Sequence, residues 1–274
     1  MKKKILICYS ENKDPHKKYT ELLIKELKNN FSDIETIEKE VKELSLCHKS
    51  FDFAFSVGGD GTFLRVAHSV INTPIIGINL GRKGFLATIE KSEISYAVEK
   101  IKNNQYSVKK RYFIEGTTDT SGGIAVNDIT IGKENFMKTI HIALYVNNKL
   151  VNTYICDGMV ISTAFGSTAY NKALTNMVAH PDAPIYIITP IASNDNLFSS
   201  LIINCESNIR VNVLPNDASS KIVVGFDGTQ KVISMDKYLE IFKSENYFQA
   251  IEFDDFDYYE NLRKKSWFSL LNML

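Results

Sequence analysis

Segments with the pattern of a β-strand alternate with segments with the pattern of an α-helix over the first hundred residues. Three short apolar segments, ILICYS (5–10), FDFAFSV (51–57) and PIIGINL (74–80), each precede a stretch with apolar residues at helical spacing. The first such stretch, YTELLIKELKNNF (19–31), has an apolar or aromatic residue at every fourth position. This alternation predicts an α/β domain with a largely parallel sheet over residues 1–105.

After about residue 105 the pattern changes to strand-like segments separated by turn residues. One of them, YVNNKLV (145–151), predicts a hairpin with Asn147 and Asn148 in its turn, because asparagine tolerates a positive φ. These segments predict a β-rich domain over residues 106–250, interrupted by a helix-like stretch, GSTAYNKALTNM (166–177). The remaining residues, 251–274, predict a C-terminal helix that packs back on the first domain.

The balance of charges excludes some classes of partner. The 274 residues include 32 lysines and arginines and 32 aspartates and glutamates, so the chain lacks the strong field with which basic domains attract nucleic acid or anionic lipid. We therefore expect neither nucleic acid nor a membrane as partner. The apolar run at residues 5–8 is too short for an export signal or a membrane span. The four cysteines form no C-x-x-C pair, a usage that indicates a cytoplasmic protein.

The stretch SVGGDGTFLRVAHSV (56–70) places three glycines and an aspartate between an apolar run and an amphipathic one. A strand that ends in GGDG before a helix exposes amide N–H groups beside the positive end of that helix, an arrangement that binds phosphate. The loop is not the dinucleotide fingerprint G-x-G-x-x-G, because Leu64 stands at the last glycine position, and no G-x-x-x-x-G-K-[ST] occurs. The alternative is a tight turn in which Asp60 caps the helix and no ligand binds.

Two further stretches favour a ligand site over a plain turn. NLGRKGFLA (79–87) is a second glycine loop that follows a strand of the α/β domain, and strand ends in open α/β sheets converge on one crevice. CDGMVISTAFGSTAYNKAL (156–174) places Asp157 and Gly158 before a strand and offers hydroxyls and amides at a helix start. Taken alone, this third stretch favours a serine or threonine helix cap over a ligand site.

Together these motifs closely resemble the NAD kinase family over nearly the whole chain. GGDGT alone also occurs in phosphofructokinases and diacylglycerol kinases, whereas GSTAY downstream of it at this spacing is specific. The matching positions are Gly58 to Thr62 (GGDGT), Asn79, Gly81 and Gly84 to Leu86 (second glycine loop), Asn127-Asp128 (an Asn-Glu/Asp pair), Asp157-Gly158 with Ser162-Thr163, Gly166 to Tyr170 (GSTAY), and Asp227-Gly228 in FDGT.

The resemblance implies magnesium-dependent transfer of a phosphoryl group from ATP or polyphosphate to the 2′-hydroxyl of the adenosine ribose of NAD, giving NADP. Asp60 would accept the proton of that hydroxyl. Asn127 and Asp128 would hold the adenine and ribose, Asp157 would contact the nicotinamide end, and Phe85 would help to wall the pocket. The glycine loops would hold the phosphate donor.

The family match implies a wider set of NAD- and ATP-binding residues, leaves the metal ligands unassigned and implies a homo-oligomer, a tetramer or a dimer. Thr168, Ala169 and Tyr170 would line the adenine side. The full binding set is Gly58, Gly59, Gly61, Thr62, Arg65, Phe85, Asn127, Asp128, Asp157, Thr168, Ala169, Tyr170, Ala173 and Ala192.

The chain departs from the family pattern at three places. Ala164-Phe165 replaces a usual proline after Ser-Thr, Asn176-Met177 replaces a usual Gly-Gly, and PIASNDNLFSS (190–200) lacks a frequent arginine. Two other functions stay open: a lipid kinase of the diacylglycerol type, which shares GGDGT, and a dinucleotide or phosphate sensor without catalysis. A membrane-facing segment would favour the first alternative, and binding without turnover would favour the second.

Overall fold

The structure is a computed structural model that describes residues 2–44, 51–70, 72–81, 84–134, 139–194, 199–214, 221–233 and 238–271. It contains five α-helices and seventeen strands within those ranges. In chain order they are β1 (Lys3–Tyr9), α1 (Lys18–Asn30), β2 (Ile34–Glu40), β3 (Phe53–Gly58), α2 (Asp60–Ser69), β4 (Pro74–Asn79), β5 (Ile89–Glu90), α3 (Ile94–Lys102), β6 (Tyr106–Thr117), β7 (Gly122–Ala125), β8 (Asp128–Lys133), β9 (Ile140–Val146), β10 (Lys149–Cys156), β11 (Gly158–Thr163), α4 (Tyr170–Thr175), β12 (Ile185–Ile191), β13 (Leu201–Asn204), β14 (Ile209–Leu214), β15 (Ile222–Phe226), β16 (Thr229–Ile233), β17 (Tyr238–Phe253) and α5 (Tyr258–Leu271).

The chain divides into two compact units, the first formed by Met1–Arg111 with Phe248–Leu274. Its strands pair in parallel in the order β2, β1, β3, β4, and the end of β17 pairs in parallel with β4. β3 is buried along its whole length, as expected for a strand of a parallel sheet that is covered on both faces. The predicted α/β class with a largely parallel sheet is confirmed.

The helices of the first unit bury the faces that their sequence periodicity predicts. α1 buries Leu23 and Leu27, and α3 buries Ile94, Ala97 and Val98. These side chains join one apolar cluster with the strands of the parallel sheet. Burial of a leucine or isoleucine side chain stabilises a fold by about 1.5–3 kcal/mol, so the amphipathic pattern accounts for the docking of both helices.

The second unit, Tyr112–Tyr247, is almost entirely antiparallel. One set of strands pairs in the order β10, β9, β14, β17, and a six-stranded sheet has the order β13, β12, β11, β8, β15, β16. Alternate residues of both sets form one core, which includes Ile142, Val211 and Ile161. The predicted hairpin is present, with Asn147 and Asn148 at φ of 49° and 63°. The β-rich class of this half is confirmed.

Some local details differ from the prediction. Strand β2, with sequence IETIEKE, is absent from the prediction because charged residues break its apolar pattern, a usual feature of an edge strand. The predicted helix at 166–177 is a 3₁₀ turn over Phe165–Thr168 followed by the six-residue α4. The chain passes from the first unit to the second between residues 111 and 112, within β6. It returns to the first unit between residues 247 and 248, within β17.

The C-terminal segment belongs to the first unit, in agreement with the predicted fold class. Its helix α5 places the Lys265 ammonium against the Glu90 carboxylate at the end of β5. Lys265 is buried despite its charge, and the ion pair compensates that burial. The segment is therefore tied to the α/β unit by a specific contact.

Candidate functional site

The first glycine loop connects β3 to α2. Gly59 occupies the N-cap position, where its carbonyl oxygen accepts hydrogen bonds from the N–H groups of Thr62 at 2.9 Å and Phe63 at 3.1 Å. The Gly59 N–H in turn donates to Oγ1 of Thr62 at 3.4 Å. Because N–H groups in the first turn of a helix lack an intrahelical acceptor, those of Asp60 and Gly61 are available to an anion at the positive helix end.

The carboxylate of Asp60 accepts three backbone hydrogen bonds from the second glycine loop. Oδ2 accepts from the N–H of Phe85, and Oδ1 accepts from those of Leu86 and Ala87, each at 3.0 Å. An ionised carboxylate offers about four acceptor positions, so about one remains for another donor. Asp60 is therefore held in a fixed orientation, partly exposed, with acceptor capacity to spare.

The second glycine loop is packed against Asn79 at the end of β4. The Asn79 side chain is buried; its Oδ1 accepts from the N–H of Gly81 at 2.9 Å, and its Nδ2 donates to Oε1 of Glu90 at 3.3 Å. A Cβ at Gly84 would lie 2.6 Å from Cγ of Asn79, so only glycine allows this approach. The structure thus brings the two predicted glycine loops of the α/β unit together.

Gly59 and Gly61 have no packing reason to be glycine. Among the described residues, a Cβ at either position would meet nothing within 4 Å, and Gly59 has an extended backbone, with φ of −122°, that any residue adopts. A glycine also weakens a helix relative to alanine. The open space over these two residues is therefore the strongest local indication of a ligand that approaches the backbone closely.

We expect Gly61→Ala to stabilise the protein and to impair catalysis. The helix gains about 0.5–1 kcal/mol from the substitution, while the new methyl group enters the open space and lowers kcat/KM for the phosphoryl donor that the resemblance implies by about 10- to 100-fold. Urea denaturation and initial rates of the implied reaction check the two effects. A variant with unchanged kcat/KM for the donor would show that no ligand occupies that space.

In the second unit, Asp227 repeats the arrangement made by Asp60. Its carboxylate accepts hydrogen bonds from three consecutive N–H groups, those of Val126 at 2.6 Å, Asn127 at 2.8 Å and Asp128 at 3.3 Å. Asp227 and Gly228 have φ of 47° and 86°, as the tight turn between β15 and β16 requires. The FDGT sequence therefore fixes the backbone of the Asn-Asp pair.

The Asn127-Asp128 pair is buried and incompletely satisfied. Oδ1 of Asn127 is a buried acceptor without a hydrogen-bond partner among the described residues. Burial, and to a lesser degree the nearby Asp227 carboxylate, raises the pKa of Asp128 from 3.8 to about 6, against a hydrogen bond from Thr130 that acts to lower it. Unpaired buried polar groups cost stability, so Oδ1 of Asn127 is poised to accept a hydrogen bond from a ligand.

We expect Asp128→Asn to stabilise the ligand-free protein in a pH-dependent way. Because the pKa of Asp128 is raised on folding, the folded state binds the proton more tightly, and the stability penalty grows as pH rises from about 4 to about 6 and is constant above. Over these two pH units the penalty to the free energy of unfolding grows to roughly 3 kcal/mol. Urea denaturation at about pH 7.5 and about pH 4.5 should give a clearly larger gain at the higher pH; equal gains would contradict the assignment.

The GSTAY segment owes part of its sequence to packing. A Cβ at Gly166 would overlap the backbone of Asn127 and lie 2.5 Å from its carbonyl carbon. Oγ of the fully buried Ser167 accepts from the N–H of Ala179 at 2.9 Å. The equally buried Asn171 accepts from Thr189 Oγ1 at 3.0 Å. These residues hold the loop around Asn127 in place.

The remaining predicted binding residues lie on the surface or close to it. Thr168 and Ala169 are half-buried at the end of the 3₁₀ turn, and Tyr170 and Ala173 are exposed on α4. Ala192 has a φ of 47°, and Arg65 is exposed on α2 of the first unit.

Asp157 is paired with a lysine that the sequence analysis does not single out. The ammonium of Lys133 lies 2.7 Å from Oδ1 of Asp157. Buried residues alternate along β8, and Lys133 occupies the next buried position after Ile129 and Ile131. A lysine at a position where the alternation predicts an apolar residue is the sequence signal that could have identified it. The sequence analysis places Asp227 in the FDGT motif. Only the structure shows that its carboxylate accepts hydrogen bonds from the backbone of Asn127 and Asp128.

The described residues contain neither a grouped set of metal ligands nor a membrane-spanning helix. No three His, Cys, Asp or Glu side chains in those ranges are grouped as metal ligands. Within the same ranges, no helix combines the length and the apolar composition needed to cross a bilayer.

Comparisons with known proteins identify the family of the chain. The chain matches the models of the ATP-NAD kinase N-terminal domain over residues 7–106 and of the ATP-NAD kinase C-terminal domain over residues 126–253. The NAD kinase of Clostridium perfringens (strain 13 / Type A) is 35% identical over 270 residues, which cover 94% of this chain and 96% of that protein. The NAD kinase of Caldanaerobacter subterraneus subsp. tengcongensis is 31% identical and covers 83% of each chain.

Solved structures give the same result. The NAD kinase of Archaeoglobus fulgidus, solved in complex with ATP, is 26% identical with a TM-score of 0.75 and covers 96% of this chain and 98% of that one. Yeast NADH kinase, complexed with NADH, is 17% identical and shares the fold, with a TM-score of 0.82 over 98% of this chain and 88% of that one. The chain therefore belongs to the NAD kinase family and is a kinase that phosphorylates NAD with ATP.

Proposed function

We propose that the chain transfers the γ-phosphoryl group of ATP to the 2′-hydroxyl of the adenosine ribose of NAD, with Asp60 as the residue that orients this hydroxyl and accepts its proton. The observation that carries the proposal is the fixed Asp60 carboxylate, which accepts three backbone N–H groups and retains about one acceptor position. A single hydroxyl donor fits that position.

The step balances with ATP, NAD and one carboxylate. The ribose oxygen forms a bond to the γ-phosphorus, the bond from that phosphorus to the β,γ-bridging oxygen breaks, ADP leaves, and the hydroxyl proton passes to Asp60. A ribose hydroxyl is a far weaker acid than a carboxylic acid, so the proton moves late rather than before attack. Phosphoryl transfer passes through a loose transition state, and catalysis is mainly positioning and electrostatic stabilisation.

The first unit supplies the donor side of this proposal. The N–H groups of Asp60 and Gly61 at the start of α2, under open space, suit the phosphate oxygens of ATP. Magnesium keeps several water ligands and binds largely through substrate phosphates. We therefore propose that it enters with ATP and neutralises charge on the transferred group.

The second unit supplies the NAD side. The unpartnered Oδ1 of Asn127 suits the amino group of adenine, and the neighbouring Asp128 suits a ribose hydroxyl. Asp157 keeps a half-exposed carboxylate for the nicotinamide end. Thr168, Ala169 and Tyr170 are proposed to line the adenine side.

The decisive experiment is formation of NADP from NAD by the purified protein, with ATP and magnesium, with polyphosphate and magnesium, and with ATP and excess chelator. We expect activity with ATP that requires magnesium and is lost in Asp60→Asn. Activity with polyphosphate would add it as a donor. Binding of NAD without turnover under all conditions would contradict the proposal and leave a sensor.

We further propose a cytoplasmic homo-oligomer, a tetramer or a dimer. Large apolar side chains stay exposed on the second unit, among them Leu150 at 58% and Ile202 at 54%, which favours association. Light scattering coupled to size-exclusion chromatography tests the oligomer, and cell fractionation tests the location. A monomer at micromolar concentration would contradict the first part.

A further inference from the structure

The buried ion pair between Lys133 and Asp157 is unusual in its asymmetry. The Lys133 side chain is only 1% exposed, whereas that of Asp157 is 44% exposed, and the contact of 2.7 Å engages one of the two carboxylate oxygens. The cation is therefore inside the unit, and its anionic partner faces outwards. An ion pair made only for stability would need no open carboxylate.

The position of Lys133 is one where an apolar residue would pack readily. It lies on β8 on the same face as Ile129 and Ile131, both fully buried in the apolar core. Burial of an ammonium group costs free energy of desolvation, and the attraction to its partner offsets this cost only in part. Replacement of buried ion pairs by apolar residues is therefore often neutral or stabilising. Stability alone therefore gives no reason for a lysine here.

The backbone around Asp157 is fixed as tightly as its side chain. The N–H of Asp157 donates to the carbonyl oxygen of Ile191 at 2.8 Å. The next residue, Gly158, pairs with Gly132 across β8 and β11, and a Cβ there would overlap the carbonyl oxygen of Ile131. With the backbone held and one carboxylate oxygen bound to Lys133, the second oxygen is held in a fixed orientation.

We propose that Lys133 is a positioning residue for NAD: it holds the Asp157 carboxylate in one rotamer, with the second carboxylate oxygen presented to the dinucleotide. The inference rests on the proposed role of Asp157 at the nicotinamide end. It assigns to Lys133 an effect on NAD affinity and not on the phosphoryl-transfer step, because Lys133 acts through Asp157.

The test uses Lys133→Met, Lys133→Arg, Asp157→Asn and the Lys133→Met/Asp157→Asn double variant. We expect Lys133→Met to raise KM for NAD, and Kd for NAD measured by calorimetry without ATP, by about 10- to 100-fold, the range for one lost hydrogen bond to a charged group. kcat and KM for ATP should change less than about threefold. Lys133→Arg, which keeps the charge, should restore most of the affinity.

The double variant separates positioning from a structural role. If Lys133 acts through Asp157, the double variant binds NAD no more weakly than Asp157→Asn alone, so the two effects are not additive. Additive losses, or a Lys133→Met protein that melts earlier but binds NAD normally, would overturn the inference. Should Lys133→Met fail to fold, Lys133→Arg and Asp157→Asn still decide, because equal NAD affinity in wild type and Asp157→Asn removes the target of Lys133. A wild-type protein that forms no NADP would instead contradict the proposed function itself.

Discussion

Asp60→Asn is expected to lower kcat for NADP formation by about 10²- to 10⁴-fold, the range for loss of a general base, or roughly 3–5 kcal/mol of barrier. The physical reason is that an amide cannot take the hydroxyl proton. Initial rates at saturating ATP and NAD measure the loss, and calorimetry with NAD alone should show binding close to that of the wild type. Near-normal turnover would show that Asp60 is not the base.

The hydrogen bonds of Asp60 add a structural effect that must be separated from the chemical one. Asparagine has one acceptor oxygen, so its amide nitrogen would face at least one of the N–H groups of Phe85, Leu86 and Ala87. We expect about 1–3 kcal/mol of lost stability, measured by urea denaturation. Asp60→Glu is the matched control, because it retains a carboxylate acceptor but displaces it. A kcat loss that follows stability in both variants would favour a purely structural role.

Gly166→Ala is expected to destabilise the second unit by about 3–5 kcal/mol or to prevent folding, because its new Cβ would overlap the backbone of Asn127. Any folded fraction should also bind NAD more weakly, since relief of the overlap moves Asn127. Urea denaturation followed by circular dichroism measures the first effect.

Gly132→Ala is the control for that substitution. It lies on β8 of the same unit, and a Cβ there would meet no described residue within 4 Å, so the stability of the variant should change by less than about 0.5 kcal/mol. If the two alanine variants were equally stable, close backbone approach would not be the reason for glycine at position 166.

The architecture could be predicted because its main signals are local. The amphipathic faces of α1 and α3 and the turn residues Asn147 and Asn148 each specify structure within a few positions, and they agree with the observed fold. The sequence does not predict strand β2, because charged residues at this sheet edge interrupt its apolar pattern. β2 is a strand because its backbone pairs with β1, and its own sequence does not show this pairing.

The sequence predicts less of the candidate site than of the fold, because the hydrogen bonds that form the site join residues far apart in the chain. The bonds from residues 126–128 to Asp227 span about a hundred positions, and those from residues 85–87 to Asp60 span about twenty-five. No rule of residue spacing predicts these hydrogen bonds from the sequence. The sequence also does not indicate that Ser167 and Asn171 are buried supports of this loop.

The contact of Lys265 with Glu90 gives the C-terminus an influence on the glycine loops. Glu90 accepts a hydrogen bond from Asn79, and Asn79 accepts one from Gly81, so a chain of polar contacts runs from α5 to the second glycine loop. A deletion that removes Lys265 leaves the Glu90 carboxylate uncompensated and loosens the side chain that holds this loop. Removal of α5 is therefore expected to perturb the second glycine loop, although the two are far apart in the sequence.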